Sequence, residues 1–129
     1  MMDCVTDTHP LVWYFTEDRR LSKKALATLE ETIEQGLIII PTIVLAEVMY
    51  ICQKGKITLT FRETLTRSEE YENFEIAPLD VDILKTADNI TADLEMHDRL
   101  IVATALYLGA SLITRDESVR KAKIVKTIW

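Results

Sequence analysis

The sequence predicts an α/β fold, a three-layer α/β/α sandwich around a parallel sheet of about five strands. Short apolar segments rich in β-branched residues alternate along the chain with longer segments whose apolar residues recur at helical spacing. The run LIII at 37–40 is continuously apolar, as expected for a strand that is covered on both faces of the sheet. Strands that alternate with helices in this way form parallel sheets with helices on both sides.

Each predicted strand is a short apolar segment, and each predicted helix starts near a residue that suits a helix start. The predicted strands are 2–6, 37–40, 74–77, 111–114 and 124–128. Pro10 opens a helix that runs to Phe15, because proline fits the first turn. Ser22 caps the next helix, which ends at Gly36. The remaining predicted helices are 42–53 with Thr42 as its cap, 60–72, a segment capped by Asp80, and 98–108.

Length and composition indicate one compact domain, residues 1–129. A chain of this length buries roughly two thirds of its unfolded surface around a single core. Hydrophobic residues make up 48% of the chain and charged residues 28%, with only three glycines and three prolines. That composition is typical of a globular protein and excludes a disordered chain.

The sequence favours a cytoplasmic protein. The longest apolar region, Gly36 to Cys52, is interrupted by a proline and a glutamate and falls short of the ~20 apolar residues of a membrane span. The N-terminus, MMDCVTD, lacks the basic start and the cleavage site of a signal peptide. Cys4 and Cys52 have no CxxC partner, which predicts reduced core thiols instead of a disulfide or a zinc site.

Two carboxylates follow predicted strands and are expected at the same edge of the sheet. Asp7 follows the first strand, and Asp116 follows the strand at 111–114. Ligands of open α/β sheets bind beyond the carboxyl ends of the strands, where the strand order changes direction. Aspartate is also common at helix caps and turns, so each acid taken alone fits either interpretation.

Glu47 has no such local explanation. It lies in TIVLAEVMYIC, where nearly every neighbouring position on the predicted helix is apolar. A capping box that starts at Thr42 would place its acid at position 45, which is a leucine. An ionised carboxylate in apolar surroundings costs several kcal/mol unless an ion pair or a metal compensates it. The structural alternatives are an exposed helix edge or a buried salt bridge, with Lys54 as a distant partner two turns along the helix.

Asp98 is expected to open the helix at 98–108, where a carboxylate suits the positive end of the helix dipole. That helix leads into the strand before Asp116, which would bring a fourth carboxylate to the same edge. Because like charges repel, such a cluster needs a cation, and oxygen ligands favour Mg²⁺ or Mn²⁺. The net charge of −6 argues against a passive binder of polyanions, and a metal would supply the missing positive field.

Four motifs together resemble those of PIN-domain nucleases, and in particular the VapC toxins of prokaryotic toxin–antitoxin pairs. They are DTHPLVWY at 7–14, AEV at 46–48, DRLIVATA at 98–105 and LITRDE at 112–117. Each motif alone is weak, whereas the ordered set extends over the whole chain and is specific. The resemblance implies a PIN-like sandwich that binds Mg²⁺ or Mn²⁺ and cuts single-stranded RNA. Its catalytic and metal-binding residues match Asp7, Glu47, Asp98 and Asp116.

The implied reaction is metal-assisted hydrolysis of a phosphodiester bond, in which the ion activates and orients a water and offsets charge on the leaving oxygen. Asp7 and Asp98 are expected to bind the ion directly, and Glu47 and Asp116 to complete the site directly or through water. Thr114 resembles the hydroxyl residue that the family carries near its last acid.

Basic residues beside the acids have supporting interpretations. Arg99 and Arg115 would contact phosphate or orient a carboxylate. His9 and His97 are interpreted as hydrogen-bonding neighbours of the acids instead of ligands. The resemblance further implies a homodimer and a cognate antitoxin, with the helix at 60–72 as a wall of the groove that receives it.

Three alternatives remain open at this point. A phosphotransferase with an aspartyl nucleophile would need an acid two residues after the nucleophile, and position 9 is a histidine. The chain could also be a PIN nuclease outside a toxin–antitoxin pair, or a silent PIN-like module that binds a partner.

In the first strand, Asp3 and Thr6 depart from the apolar family pattern, and Asp3 is expected at the solvent-facing start.

Overall fold

A computed structural model describes residues 3–129, in which five strands and seven helices alternate. The strands are β1 (Cys4–Thr6), β2 (Ile38–Pro41), β3 (Phe74–Ala77), β4 (Ser111–Ile113) and β5 (Thr127–Ile128). The helices are α1 (Thr8–Phe15), α2 (Lys23–Gln35), α3 (Thr42–Gln53), α4 (Phe61–Glu70), α5 (Val81–Asp88), α6 (Met96–Leu108) and α7 (Glu117–Ala122). The start of the first predicted strand, at residue 2, lies outside the described residues.

All strand pairs are parallel, and the strand order is β3-β2-β1-β4-β5. In the central strand, Val5 lies opposite Ile39 on one side and Leu112 on the other. All three side chains are almost fully buried, which explains why these segments are apolar without alternation. The predicted five-stranded sandwich is therefore confirmed.

The strand order changes direction beside β1. From β1 the chain adds β2 and β3 on one side, and β4 and β5 are then added on the other side. A crevice therefore opens beyond the carboxyl ends of β1 and β4, which is where ligands bind in such sheets. The segment after β1 and the segment after β4 both lead into this crevice.

Several helices differ from the prediction. Helix α1 begins at Thr8, two residues before the predicted start at Pro10, and Asp7 is its cap. The cap position of α3 is Pro41, and the Thr42 hydroxyl instead accepts a hydrogen bond from the backbone N–H of Leu79 at 3.0 Å. Helix α6 begins two residues earlier than predicted, because the Glu95 side chain caps it. Helix α7 was not predicted, since its six residues bury only Val119 and so show no apolar stripe.

The two polar residues of the first strand are accommodated by hydrogen bonds. Asp3 is half-buried, and its Oδ1 accepts the N–H of Leu37 at 2.9 Å, which joins the start of β1 to the start of β2. Asp3 thus lies at the start of the strand, as expected, but it is only partly exposed. Thr6 is fully buried, and its hydroxyl donates to the carbonyl of Asp7 at 3.0 Å.

Both cysteines are free thiols, Cys4 buried and Cys52 half-buried, as predicted. No helix within residues 3–129 combines the length and the apolar character that crossing a membrane requires.

Candidate metal centre

Four carboxylates are placed around the carboxyl end of β1 by four different elements. Asp7 directly follows β1, Asp116 follows β4, Glu47 lies in the second turn of α3, and Asp98 lies in the first turn of α6. Helix α3 packs against α1 and α6, and α6 packs against β1. The charges of Asp116, Asp7 and Glu47 all raise the pKa of Asp98, so the four acids share one electrostatic environment.

Asp7 is both a helix cap and a member of this group. Its Oδ1 accepts the N–H of Thr8 at 2.7 Å at the start of α1, and its Oδ2 accepts the hydroxyl of Thr114 at 2.7 Å. Burial raises the pKa of Asp7 above its ordinary value, although these two hydrogen bonds oppose the effect. The cap and ligand interpretations of Asp7 are thus compatible, because each carboxylate oxygen accepts one hydrogen bond and retains a further lone pair.

Thr114 joins two of the acids across the β1–β4 pair. Its side chain is 1% exposed, and its hydroxyl donates to Asp7 while its oxygen accepts the N–H of Asp116 at 3.1 Å. A hydroxyl can serve both partners because it carries one proton and two lone pairs. Thr114 therefore fixes the position of Asp7 relative to the loop that carries Asp116.

Glu47 is half-buried and has no cationic partner within the described residues. Its Oε1 accepts the hydroxyl of Thr8 at 2.9 Å. Lys54, the distant partner considered from the sequence, instead lies with its Nζ 5.0 Å from the centre of the Tyr50 ring. Burial, followed by the charge of Asp7, raises the pKa of Glu47. The salt-bridge alternative for Glu47 is therefore not seen in residues 3–129.

Asp98 and Asp116 differ in the donors around them. No hydrogen bond to the Asp98 side chain is found within residues 3–129, and burial together with the charges of Asp116 and Asp7 raises its pKa to about 6. Burial also acts on Asp116, but hydrogen bonds from the Ser118 hydroxyl at 2.6 Å and the Val119 N–H at 3.0 Å more than offset it. The pKa of Asp116 is consequently lowered.

Three residues of this environment were not predicted from the sequence. Glu95 caps α6, lies 3.2 Å from Nδ1 of His97, and raises the pKa of both Asp98 and Glu47. Thr8 holds Glu47, and Ser118 holds Asp116. Glutamate is an unusual cap, and the Thr8–Glu47 contact joins residues 39 positions apart, so neither leaves a local signal.

Arg99 does not face the carboxylates. Its guanidinium donates to the carbonyls of Ile90 at 2.6 Å and Ala92 at 2.8 Å, with longer contacts to Ala87 and Leu94. These carbonyls belong to the end of α5 and to the connection into α6. Arg99 thus holds this connection in place, which is a structural position that its motif did not reveal.

The other basic neighbours surround Trp13 or the cap of α6. The guanidinium of Arg115 lies 4.6 Å from the centre of the Trp13 ring, and the His9 ring lies 5.5 Å from it. His97 contacts Glu95. None of these three side chains forms an ion pair with Asp7, Glu47, Asp98 or Asp116 within the described residues.

The donor set fits a hard cation that is bound partly through water. Within residues 3–129, no group of three or more His, Cys, Asp or Glu side chains is close enough to enclose a metal as it stands. Mg²⁺ does not need such a cage, because it keeps several waters and uses one or two carboxylates. Three of the four carboxylates form no ion pair within the described residues and have raised pKa values, although the charges of His9 and His97 lower those of Asp7 and Glu47. An added cation would lower these pKa values further.

Comparisons with known proteins agree with this fold. The family model of the PIN domain matches residues 4–125. The chain is similar to a chain of VapBC2 from Rickettsia felis bound to a promoter DNA fragment, with a TM-score of 0.75, 19% identity, and 98% of this chain and 97% of that chain covered. No curated protein matches the sequence.

Two further solved structures are similar over nearly the whole chain. A toxin–antitoxin complex from Klebsiella pneumoniae gives a TM-score of 0.69 at 24% identity and covers 95% of this chain and 94% of that chain. FitAcB from Neisseria gonorrhoeae gives a TM-score of 0.68 at 16% identity, with 96% and 95% covered. At these identities the similarity shows a shared fold, and the predicted PIN-like architecture is confirmed.

Proposed function

We propose that this chain, which belongs to the PIN-domain family, is a Mg²⁺- or Mn²⁺-dependent endoribonuclease and the toxin of a VapBC-type pair in the cytoplasm. The observation that carries the proposal is the group of four carboxylates, which lies at the crevice of the sheet without a cationic partner in residues 3–129. A protein gains nothing in stability from such repulsion, so the arrangement is best explained by a bound cation. The similar solved chains come from toxin–antitoxin complexes, which supports the toxin assignment.

The chain's own residues would hold and orient the ion. Asp7 and Asp98 would bind it directly, and Glu47 and Asp116 would complete the site directly or through water. When bound, the ion supplies an activated water and offsets charge on the leaving oxygen of the phosphodiester. Thr8 and Thr114 keep Glu47 and Asp7 in place through their hydroxyl hydrogen bonds.

Cleavage of single-stranded RNA tests the nuclease assignment. The wild-type protein should cut a labelled RNA in Mg²⁺ and lose this activity in EDTA, and Asp98→Asn should be inactive in Mg²⁺. Asp93→Asn, which neutralises an exposed acid before α6, is the matched control and should cleave like the wild type. Cleavage by Asp98→Asn at the wild-type rate would refute the assignment.

The proposed antitoxin would dock in a cavity of about 860 Å³ between α1, α2 and α4. Helix α4 and its C-cap contribute Arg67 and Tyr71 to its wall, in line with the groove expected at 60–72. Tyr71 also packs edge-on against Phe15 and Phe74. Tyr71→Ala should weaken binding of the product of an adjacent short gene by at least about tenfold, since buried aromatic anchors dominate interfaces. Unchanged affinity would remove this cavity as the docking site.

A homodimer is proposed through apolar side chains that α5 and α6 leave exposed. Val81 is 63% exposed and Met96 62%, with Leu84 and Tyr107 nearly half exposed. Exposed apolar surface of this kind is typical of an interface. Light scattering should report a dimer for the wild type and a monomer for Val81→Glu, and a wild-type monomer would contradict the proposal.

A further inference from the structure

A second cavity lies beside the carboxylates and has the opposite charge. Its volume is about 410 Å³, and it lies between α1 and the end of α3. Three cationic side chains line it, namely Arg20, Lys54 and Lys56, and no carboxylate lines it within the described residues. We call it the basic pocket. In a chain with a net charge of −6, such a local excess of positive charge requires an explanation.

The cations of the basic pocket are largely free to meet an anion. Lys54 and Lys56 are exposed, and neither takes part in an ion pair within residues 3–129. Arg20 is bound to Asp18 through two hydrogen bonds, at 2.8 and 3.1 Å, so its charge is partly compensated. Gly55, at φ +69°, turns the chain between the two lysines so that both line the same cavity. The two lysines therefore supply the net positive charge.

Aromatic rings accompany these cations. Tyr50 is 60% exposed beneath the ammonium of Lys54, and the floor of the pocket includes the buried ring of Trp13. Lysines that follow a backbone and aromatic rings that stack on bases are the combination by which proteins bind single-stranded nucleic acid. A pocket of this volume also accommodates one nucleotide.

The basic pocket continues the carboxylate group along two helices. His9, two residues after Asp7 on α1, is one of its lining residues. Tyr50 and Lys54 follow Glu47 at spacings of three and seven residues, which places all three on one face of α3 over about 10 Å. A strand whose phosphate lies near Glu47 can therefore follow this face of α3 toward the pocket.

We infer that the basic pocket is a subsite for a nucleotide flanking the cleaved bond of single-stranded RNA, with Lys54 and Lys56 on phosphate and Tyr50 on a base. The inference rests on the proposed function for the choice of RNA. It also answers how an acidic protein holds an anionic substrate: the ion neutralises one phosphate, and the pocket neutralises its neighbours.

Binding can be measured apart from cleavage. The experiment uses the full-length Asp98→Asn protein without divalent metal, and follows the fluorescence anisotropy of a labelled single-stranded RNA over a series of salt concentrations. Lys54→Gln/Lys56→Gln should bind about tenfold more weakly at low salt, and its salt slope should be smaller by about 1.4. Tyr50→Ala should also lose about tenfold, with an unchanged salt slope.

Lys23→Gln/Lys24→Gln is the matched control, because it removes the same charge from two adjacent exposed lysines on α2. This control should bind like the parent protein, and thermal unfolding should show that all variants fold. Equal losses in the control and in the Lys54/Lys56 variant would overturn the subsite, since only the overall charge would matter. The subsite would also be overturned if the Lys54/Lys56 variant kept its RNA affinity but lost affinity for polyglutamate. The pocket would then receive an acidic polypeptide.

The two failures are distinguishable. If the wild type cleaves RNA in Mg²⁺ while the Lys54/Lys56 variant binds RNA normally, the subsite is wrong and the nuclease assignment stands. If RNA binding depends on Lys54 and Lys56 while the wild type cleaves nothing in Mg²⁺, the nuclease assignment is wrong and the binding site stands.

Discussion

Asp98 and Asp116 lie in one electrostatic environment, but the protein stabilises the charge of only one of them. Asp116 receives hydrogen bonds from Ser118 and Val119, and its pKa is lowered. Asp98 has no such donor within residues 3–129, and its pKa is raised to about 6. Hydrogen-bond donors thus make the difference between the two acids. The fold itself stabilises the charge of Asp116, whereas the charge of Asp98 needs an external cation.

The largest expected effect separates the two acids by both activity and stability. Asp98→Asn should lower cleavage by at least about a hundredfold, because even residues that only orient ligands contribute 10- to 100-fold. The metal-free variant should nonetheless unfold at a higher temperature than the wild type, since a repelled charge is removed. Asp116→Ala should unfold at a lower temperature, because losing a helix cap costs about 1 kcal/mol.

Calorimetry without metal measures both unfolding temperatures. A fall in unfolding temperature for Asp98→Asn as large as that for Asp116→Ala would show that the fold stabilises both charges alike. The comparison between the two acids would then be wrong.

Thr114→Val should have the next largest effect, because it removes the hydroxyl that joins Asp7 to the loop of Asp116. Leaving buried polar groups without this partner should lower the free energy of unfolding by about 1–3 kcal/mol. Cleavage should fall by about 10- to 100-fold. Thr114→Ser, which retains the hydroxyl, is the control and should recover most of the activity. Equal loss in both variants would show that the effect is not specific to the hydroxyl.

The pH dependence should follow the raised pKa of Asp98. If the ionised form of Asp98 binds the metal as proposed, cleavage at Mg²⁺ concentrations below saturation should rise about tenfold between pH 5 and pH 7, around the pKa of about 6 of the metal-free protein. Stability of the metal-free protein should change in the opposite direction. Because the folded pKa lies above the unfolded value, the stability from this group is present below about pH 4 and is lost as pH rises through 6.

Unfolding temperatures at pH 5 and pH 7 check this sign. The stabilising effect of Asp98→Asn should be larger at pH 7, where the wild-type carboxylate is ionised. An effect of equal size at both pH values would mean that Asp98 does not titrate in this range.

Ser118→Ala should give the smallest effect. It removes one of the hydrogen bonds that lower the pKa of Asp116, and the N–H of Val119 remains in place. A typical hydrogen bond contributes about 0.5–1.5 kcal/mol, and this one is exposed to water, which weakens it. Chemical denaturation should therefore detect a small loss of stability, and the NMR titration of Asp116 should move to higher pH. A titration that stays in place would assign the low pKa to the backbone N–H groups of Ser118 and Val119.

Much of the fold could be predicted because the strands are local apolar runs. The segments at 37–40 and 74–77 almost coincide with β2 and β3. The residues of β2 are all buried and apolar, whereas the edge strand β3 keeps three apolar residues around the exposed Glu75. Helix α7 escaped prediction because six mostly polar residues show no periodicity. The early start of α6 was not predicted, because its cap is a glutamate.

The convergence of the four acids could be predicted from topology, but their chemistry could not. Asp7 and Asp116 follow strands that end at one edge, which the sequence reveals. The hydrogen-bond donors that set their pKa values come from residues that are distant in sequence or that no sequence pattern marks. Thr114, which donates to Asp7, is an example. The assignment of the four acids as metal ligands stays a prediction until a metal is bound.

The hydrogen bond between Thr114 and Asp7 joins residues 107 positions apart. During synthesis, β1 is made first, yet it becomes the central strand only when β4 arrives on its open side. A ribosome-bound chain therefore holds Asp7 without its partner until residues 114–116 have left the exit tunnel. For a protein proposed to cut RNA, this order of assembly means that a growing chain without residues 114–116 lacks the hydrogen bond that fixes Asp7.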